Sequence, residues 1–255
     1  MTDGIAVVTG AGRGLGRALA RELLARGVTV AGFGRDRDDL AETGAGAAEG
    51  RFHPVLADMG DPAAIARGFA EVDAQGPVTI LINNAARYPR RDILDETPAS
   101  FAETMDVNFG GVLAASHEAI GRMVETGRGR IVNVASMADV APLPASAAYS
   151  VSKGAARVLS RALVADLGDR FPGIVISDWL PGMLATRMGV ADGLPPEVAA
   201  RWGADLALLH DPSLNGTTWE MDRELLPPRG LKGKVKDLLL LRRRQPRRLG
   251  SVPGQ

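Results

Sequence analysis

The 255-residue chain contains no cysteine, which excludes a disulfide framework and a thiolate metal site. A reducing compartment, the cytoplasm, fits that composition, and no metal is expected. Aromatic residues make up only 4% of the chain, and its two tyrosines are Tyr88 and Tyr149. Lysine is almost missing as well: from the start to Arg229, every basic residue except Lys153 is an arginine. No apolar run reaches the roughly twenty residues needed to cross a bilayer. Met1-Thr2-Asp3-Gly4 leads straight into an apolar run, without the basic-then-apolar pattern of a signal peptide. A soluble protein is expected.

What is present suits one α/β domain. Hydrophobic residues are 45% of the chain and the mean hydropathy is +0.01, enough to bury a sizeable core. The formal net charge of zero hides an asymmetry. From Arg229 onward there are nine basic residues and one acid, Asp237, so the body holds 21 basic and 29 acidic residues. An acidic body without a recurring basic, aromatic-interleaved patch argues against nucleic-acid binding.

Ile5 to Thr9 reads as a strand, Gly10-Ala11-Gly12-Arg13-Gly14-Leu15-Gly16 as a glycine turn, and Ala18, Leu19, Leu23 and Leu24 as the apolar face of a helix. Such a turn lets backbone N–H groups and a helix N-terminus approach a pyrophosphate. A ligand-free β-to-α turn has the same glycines. The second strand, Val28 to Phe33, ends in Gly34-Arg35, where an acid would bind the 2′-hydroxyl of NAD. Arg35, helped by Arg13, instead suits a 2′-phosphate, so NADP is expected over NAD. The alternative for Arg35 is a solvated loop charge. Phe52 to Ala57 forms a third strand, followed by Asp58, which either receives an adenine amino group or caps a helix. Asp61-Pro62 fits the cap better. Val78 to Ile82 is a fourth strand, ending in Asn83-Asn84-Ala85-Ala86.

A long helix is predicted from Phe101 to Thr126, although Asn108-Phe109-Gly110-Gly111 in its middle is costly for a helix and implies close packing or a polar role. Arg130 to Ala135 is a fifth strand ending at Ser136. The Tyr149 helix runs to about Arg170, and Ile174-Val175-Ile176 is a sixth strand before Pro181-Gly182. Strands alternating with helices predict a doubly wound parallel sheet. In such a sheet the ligand lies beyond the carboxyl ends of the strands. The glycine loop, Arg35, Asp58, Asn83, Ser136 and Pro181-Gly182 all fall at that edge.

Tyr149 and Lys153 stand four apart, on one helix face, with Ser136 thirteen residues upstream of the tyrosine. A single lysine in an arginine-rich body suggests a task arginine cannot do, such as setting a compact ammonium beside a phenol. Spacing alone also describes a surface pair on any helix.

Taken together these motifs resemble the short-chain dehydrogenase/reductase family, over about residues 5 to 222. Thr9-Gly10-x-x-x-Gly14-x-Gly16 matches its cofactor turn, which implicates Gly10, Arg13, Gly14, Leu15 and Gly16. Asn83-Asn84-Ala85-Ala86 is similar to its Asn-Asn-Ala-Gly element, implicating Asn83 and Ala85. Asn108, Ser136, Tyr149 and Lys153 match its four catalytic positions, and Pro181-Gly182 with Thr186 its nicotinamide segment. The resemblance implies a Rossmann fold and hydride exchange between NADP(H) and a carbonyl or secondary alcohol. Tyr149 is then the acid or base, and Lys153 lowers its pKa while holding the nicotinamide ribose. Ser136 holds the carbonyl oxygen and Asn108 a water that links the lysine to solvent. It also implies a homodimer or homotetramer. Ala86 departs from the pattern, as does Arg223-Glu224 where paired glycines are usual, which bears on subunit contacts. Met183 to Arg201 is expected to cover the substrate. With Met137, Asp139, Leu143 and Tyr88 it gives a mostly apolar lining.

Residues 1–228 are therefore expected to form one domain and 229–255 a basic extension. Val235, Leu238, Leu239 and Leu241 there suggest a short basic amphipathic helix that meets a membrane surface or packs on protein, followed by a solvated end. A non-catalytic dinucleotide sensor on the same fold is the competing function, as is an unusual reaction such as dehydration or epimerisation.

Overall fold

The computed structural model describes residues 3–227 and 245–250. One eight-stranded sheet organises them, formed by β1 (Ile5–Thr9), β2 (Thr29–Gly34), β3 (Phe52–Leu56), β4 (Val78–Asn83), β5 (Gly129–Val134), β6 (Ile174–Leu180), β7 (Thr217–Glu220) and β8 (Arg223–Leu225). The order is β3-β2-β1-β4-β5-β6-β7-β8. The first seven strands are parallel and β8 is antiparallel to β7. This is the expected doubly wound α/β sheet.

Both faces of the sheet are buried, which is why its strands read as continuous apolar runs. In β1, Ala6 and Val8 face one core with Leu19 and Leu23 of α1 (Gly14–Ala25) and Ala200 and Ala204 of α7 (Pro196–Leu208). Ile5 and Val7 face the other. There they meet Ile65 and Phe69 of α3 (Pro62–Asp73), Ala115 and Met123 of α5 (Gly111–Thr126), and Leu167 of α6 (Ala147–Leu167). Two shorter helices, α2 (Arg37–Gly44) and α4 (Pro98–Met105), complete the set. Asp61 caps α3 by accepting from the Ala63 amide, with Pro62 following. Asp58 instead binds the Gly60 amide at 2.9 Å, so the cap falls to Asp61 as its sequence context suggested.

The long helix expected over 101–126 is interrupted. Asp106–Gly110 forms a π-helical turn between α4 and α5, and both reasons given for its costly sequence are visible. A Cβ on Gly111 would lie 2.4 Å from the Met59 carbonyl, so only glycine lets α5 pack that close. Asn108 is fully buried and hydrogen-bonded on every side.

The substrate-covering segment is shorter than expected, because its end from Pro196 belongs to α7, which packs on α1. β8 accounts for the missing glycine pair: Glu224 is buried and its carboxylate takes Arg247 Nε at 2.8 Å and Nη2 at 2.9 Å. The chain thus returns to the sheet edge at 245–250, where Arg248 bridges Arg223 and Leu249 is buried in the core. These residues are not a solvated end. The amphipathic stretch from Val235 to Leu241 lies outside the described residues. Among the described residues no helix is long and apolar enough to cross a membrane.

Candidate active site

The carboxyl ends of β1, β2, β4, β5 and β6 share one edge of the sheet, and the expected residues collect there. The glycine loop leaves β1 through Gly10 at φ +67° and enters α1 through Gly14 at φ +52°. A Cβ on Gly16 would lie 2.0 Å from the Gly10 carbonyl, so α1 sits directly on the loop. Its N-terminus has neither a side-chain cap nor an acid in the first turn, which leaves its amides and positive dipole end available to an anion. Arg17 braces the loop from behind, donating through Nε to the Gly12 carbonyl at 2.9 Å. Thr186 packs above Gly14, with its Cγ2 3.5 Å from where a Cβ would stand there.

At the end of β2, the acid nearest the ribose position is already engaged: Asp36 caps α2 by accepting from the Asp38 and Asp39 amides at 2.9 and 3.0 Å. Arg13 pairs with Asp39 at 3.0 Å. Arg35 is largely exposed and only loosely paired with Asp58, at 3.7 Å. Two arginines, and no uncommitted acid between Gly34 and Asp36, present themselves here. The residues at this edge fit a dinucleotide.

The two asparagines after β4 take different partners. Asn84 locks the loop through Nδ2 to the Thr9 carbonyl at 2.9 Å, while the Asn84 and Ala85 amides both donate to Thr9 Oγ1 at 3.0 Å. Asn83 is buried, and its Nδ2 donates to Ser116 and Asn133 instead.

Ser136, at the end of β5, accepts from the Ala138 amide at 3.1 Å and is hydrogen-bonded to the Tyr149 hydroxyl. One turn along α6, Lys153 is buried, donates to the Val134 carbonyl at 2.7 Å and lies 5.9 Å from the Tyr149 ring centre. Burial brings the lysine down to about 8, opposed by the negative charge of Asp178. The tyrosine departs from expectation. Burial holds its phenol above the ordinary value, Tyr88 adds to the rise, and the Ser136 bond opposes both. Lys153 is not among the groups that move the phenol here, its ammonium being directed to the Val134 carbonyl.

Asn108, the residue expected to hold a water, has its side chain bonded to its neighbours. Nδ2 donates to the Arg87 carbonyl and Ser152 Oγ at 3.0 and 2.9 Å, and Oδ1 accepts from the Arg87 amide at 2.8 Å. It therefore fixes the segment that carries Tyr88, whose ring stacks on that of Tyr149. Two structural features escaped sequence reasoning, this stack and the buried acid Asp178. The signal for the latter was an acid inside an otherwise apolar strand. Among the described residues no group of three or more His, Asp or Glu side chains is placed to hold a metal ion.

Residues 4–193 match the family model described as short chain dehydrogenase. The chain is 34% identical to "Carbonyl reductase [NADPH] 2" of Sus scrofa over 197 residues, covering 77% of this chain and 78% of that protein. It is 36% identical to "Galactitol 2-dehydrogenase (L-tagatose-forming)" of Cereibacter sphaeroides over 205 residues, with coverage of 77% and 78%. A solved short chain dehydrogenase from Burkholderia cenocepacia in complex with NADP superposes with a TM-score of 0.76 at 30% identity, over 85% of this chain and 95% of that one. The chain belongs to the short-chain dehydrogenase/reductase family, NAD(P)-dependent oxidoreductases acting on alcohol and carbonyl groups.

Proposed function

We propose that this enzyme is an NADP(H)-dependent carbonyl reductase, acting in reverse as a secondary-alcohol dehydrogenase, with Tyr149 as general acid and base. The observation that carries the reading is the convergence of Ser136, Tyr149 and Lys153 at the sheet edge, with the phenol held protonated by burial. When bound, the dinucleotide supplies or accepts the hydride. The amides of residues 10–16 and the α1 N-terminus hold its pyrophosphate, Arg13 and Arg35 its 2′-phosphate, and Asp58 the adenine. Ala85, Pro181, Gly182 and Thr186 line the nicotinamide end, and Lys153 holds the ribose there. Ser136 orients the substrate oxygen, Tyr149 gives it a proton as negative charge grows, and Lys153 supports the phenolate left behind. A phenol kept neutral near pH 7 favours reduction at that pH and oxidation under alkaline conditions.

Met137, Val140, Leu143, Met183 and Met188 are exposed apolar side chains on the segments that follow β5 and β6, which favours a mostly apolar substrate. Leu113 of α5 and Val151 and Val158 of α6 are likewise exposed, and support a homodimer or homotetramer.

A panel of ketones and alcohols with NADPH and NADH, run on wild type and Tyr149→Phe, tests the reading. NADPH-preferring turnover is expected, with a ~10²–10⁴-fold loss in the variant and unchanged NADPH binding. Equal turnover by Tyr149→Phe would remove the proposed acid.

A further inference from the structure

Behind the site, a row of polar side chains crosses the sheet on a single rung. Asn83 of β4 is in register with Asn133 of β5, and Asn133 with Asp178 of β6. All three are buried, and the hydrogen bonds between them run in one direction. Asn83 Nδ2 donates to Asn133 Oδ1 at 2.8 Å, Asn133 Nδ2 to Ser160 Oγ at 2.9 Å, and Ser160 Oγ to Asp178 Oδ1 at 2.6 Å. The row ends on a carboxylate oxygen, and the last bond, from a Ser160 hydroxyl that also lies 3.2 Å from the Ala156 carbonyl, falls within the short range of a charge-assisted O–H···O⁻ contact, which suits an ionised Asp178. Arg157 and Arg161 hold its carboxyl down against burial, and Asp178 in turn acts on Lys153.

Three cations follow one another at four-residue intervals on α6: Lys153, Arg157 and Arg161. Arg157 is already paired with Asp139, its Nη1 lying 3.0 and 2.7 Å from the two carboxylate oxygens. Arg161 is exposed. Lys153 is buried with the neutral Val134 carbonyl as its hydrogen-bond acceptor, and Asp178 is the acid whose field it feels. The Val134 carbonyl belongs to the residue after Asn133, so the lysine is anchored one position from the polar row.

We propose that Asp178 is a positioning residue for the proton transfer: its buried carboxylate, aligned by Asn83, Asn133 and Ser160, keeps Lys153 in the ammonium form beside Tyr149. The role rests on the oxidoreductase reading above and acts through the lysine, without contact to substrate. The charged groups facing Asp178 are Arg157, Arg161 and Lys153 from α6 and Asp139 from the turn after Ser136. Its rung neighbours Asn133 and Thr218 are neutral.

The test is a pH titration by NMR of the full chain labelled with ¹³C at lysine Cε, with the Lys153 signal assigned by its loss in Lys153→Arg. The wild-type midpoint of about 8 is expected to move to lower pH in Asp178→Asn, by about half a pH unit or more, and to return in Asp178→Glu. Asp178→Ser, smaller and still able to bond Ser160, must shift it the same way and serves if the asparagine variant does not fold. A midpoint unchanged in folded Asp178→Asn or Asp178→Ser would overturn the role. In parallel, the pH profile of alcohol oxidation should move to higher pH in the same variants, because the Tyr149 phenolate loses part of the ammonium that supports it. A merely structural role would lower kcat without moving that profile. Because the NMR arm needs no substrate, a moving lysine in a protein without Tyr149-dependent turnover sinks the reaction while supporting the coupling. Wild-type turnover with an immobile lysine sinks the coupling alone.

Discussion

The ring of Tyr88 lies against that of Tyr149, with centroids 4.6 Å apart and planes inclined by 22°. Arg90 covers the outer face of the pair at 5.5 Å and donates to the Met188 and Gly189 carbonyls at 3.0 and 2.8 Å, so the stack is tied to the segment after Gly182. Such stacking contributes ~0.5–1.5 kcal/mol beyond area burial. Tyr88→Phe should keep activity within about twofold, whereas Tyr88→Ala should lower kcat/KM about two- to tenfold. Tyr88→Ala should also move the oxidation profile to lower pH, because water enters and one of the causes raising the Tyr149 phenol is removed. Steady-state kinetics across pH check both.

Arg35 stands exposed with a loose partner, while Asp36 is committed to capping α2. Arg35→Ser should therefore raise the KM for NADPH about tenfold or more and leave that for NADH unchanged. Equal effects on the two cofactors would remove the 2′-phosphate role.

Arg130 is fully buried, and its partners among the described residues are neutral oxygens. Nε donates to the Leu206 carbonyl at 3.1 Å, Nη1 to the Ile131 and Val175 carbonyls at 3.0 Å, and Nη2 to Ser177 Oγ at 3.1 Å. Burial brings the guanidinium down to about 9, still charged at neutral pH. Leu206 is in the last turn of α7, where carbonyls lack helical donors, so the arginine ties that helix end to β5 and β6. Arg130→Lys cannot reach all four oxygens and should cost about 1–3 kcal/mol, read as a fall in Tm, with kcat/KM of the folded enzyme unchanged.

Asp178 sets stability against function. Burial raises its carboxyl from 3.8 to about 6, so between those pH values the folded state binds more protons than the unfolded one. Stability then falls as pH rises through the window, and the full cost is present above it. Lys153, lowered from 10.5 to about 8, works the other way: stability returns as pH rises from about 8 toward 10.5. Asp178→Asn should therefore raise Tm by a few degrees at pH 7, an advantage that shrinks as pH falls from 6 to 4. Scanning calorimetry across pH checks it.

Much of this was legible in the chain. Strand, glycine turn and helix at 5–25, and the gathering of Ser136, Tyr149 and Lys153 at one edge, follow from local pattern and topology. What escaped depends on distant partners. The sixth strand was read as Ile174 to Ile176 because Ser177 and Asp178 break its apolar run. Only Arg130, Leu214 and Thr217 around Ser177, and Ser160 beside Asp178, make those polar residues fit a buried strand. Arg130 looked like an ordinary basic residue at a strand start for the same reason. The β8 hairpin and the return of 245–250 rest on Glu224 meeting Arg247 across 23 positions, a pairing no local pattern announces.

The π-helical turn at 106–110 sets a limit of another kind. A π-turn accommodates one residue more than an α-turn, and each residue advances a helix by about 100°. Losing one residue there would let the helix close to regular α geometry while rotating Asn108 off Arg87 and Ser152. Chain length, as much as side-chain identity, is what this segment has to preserve.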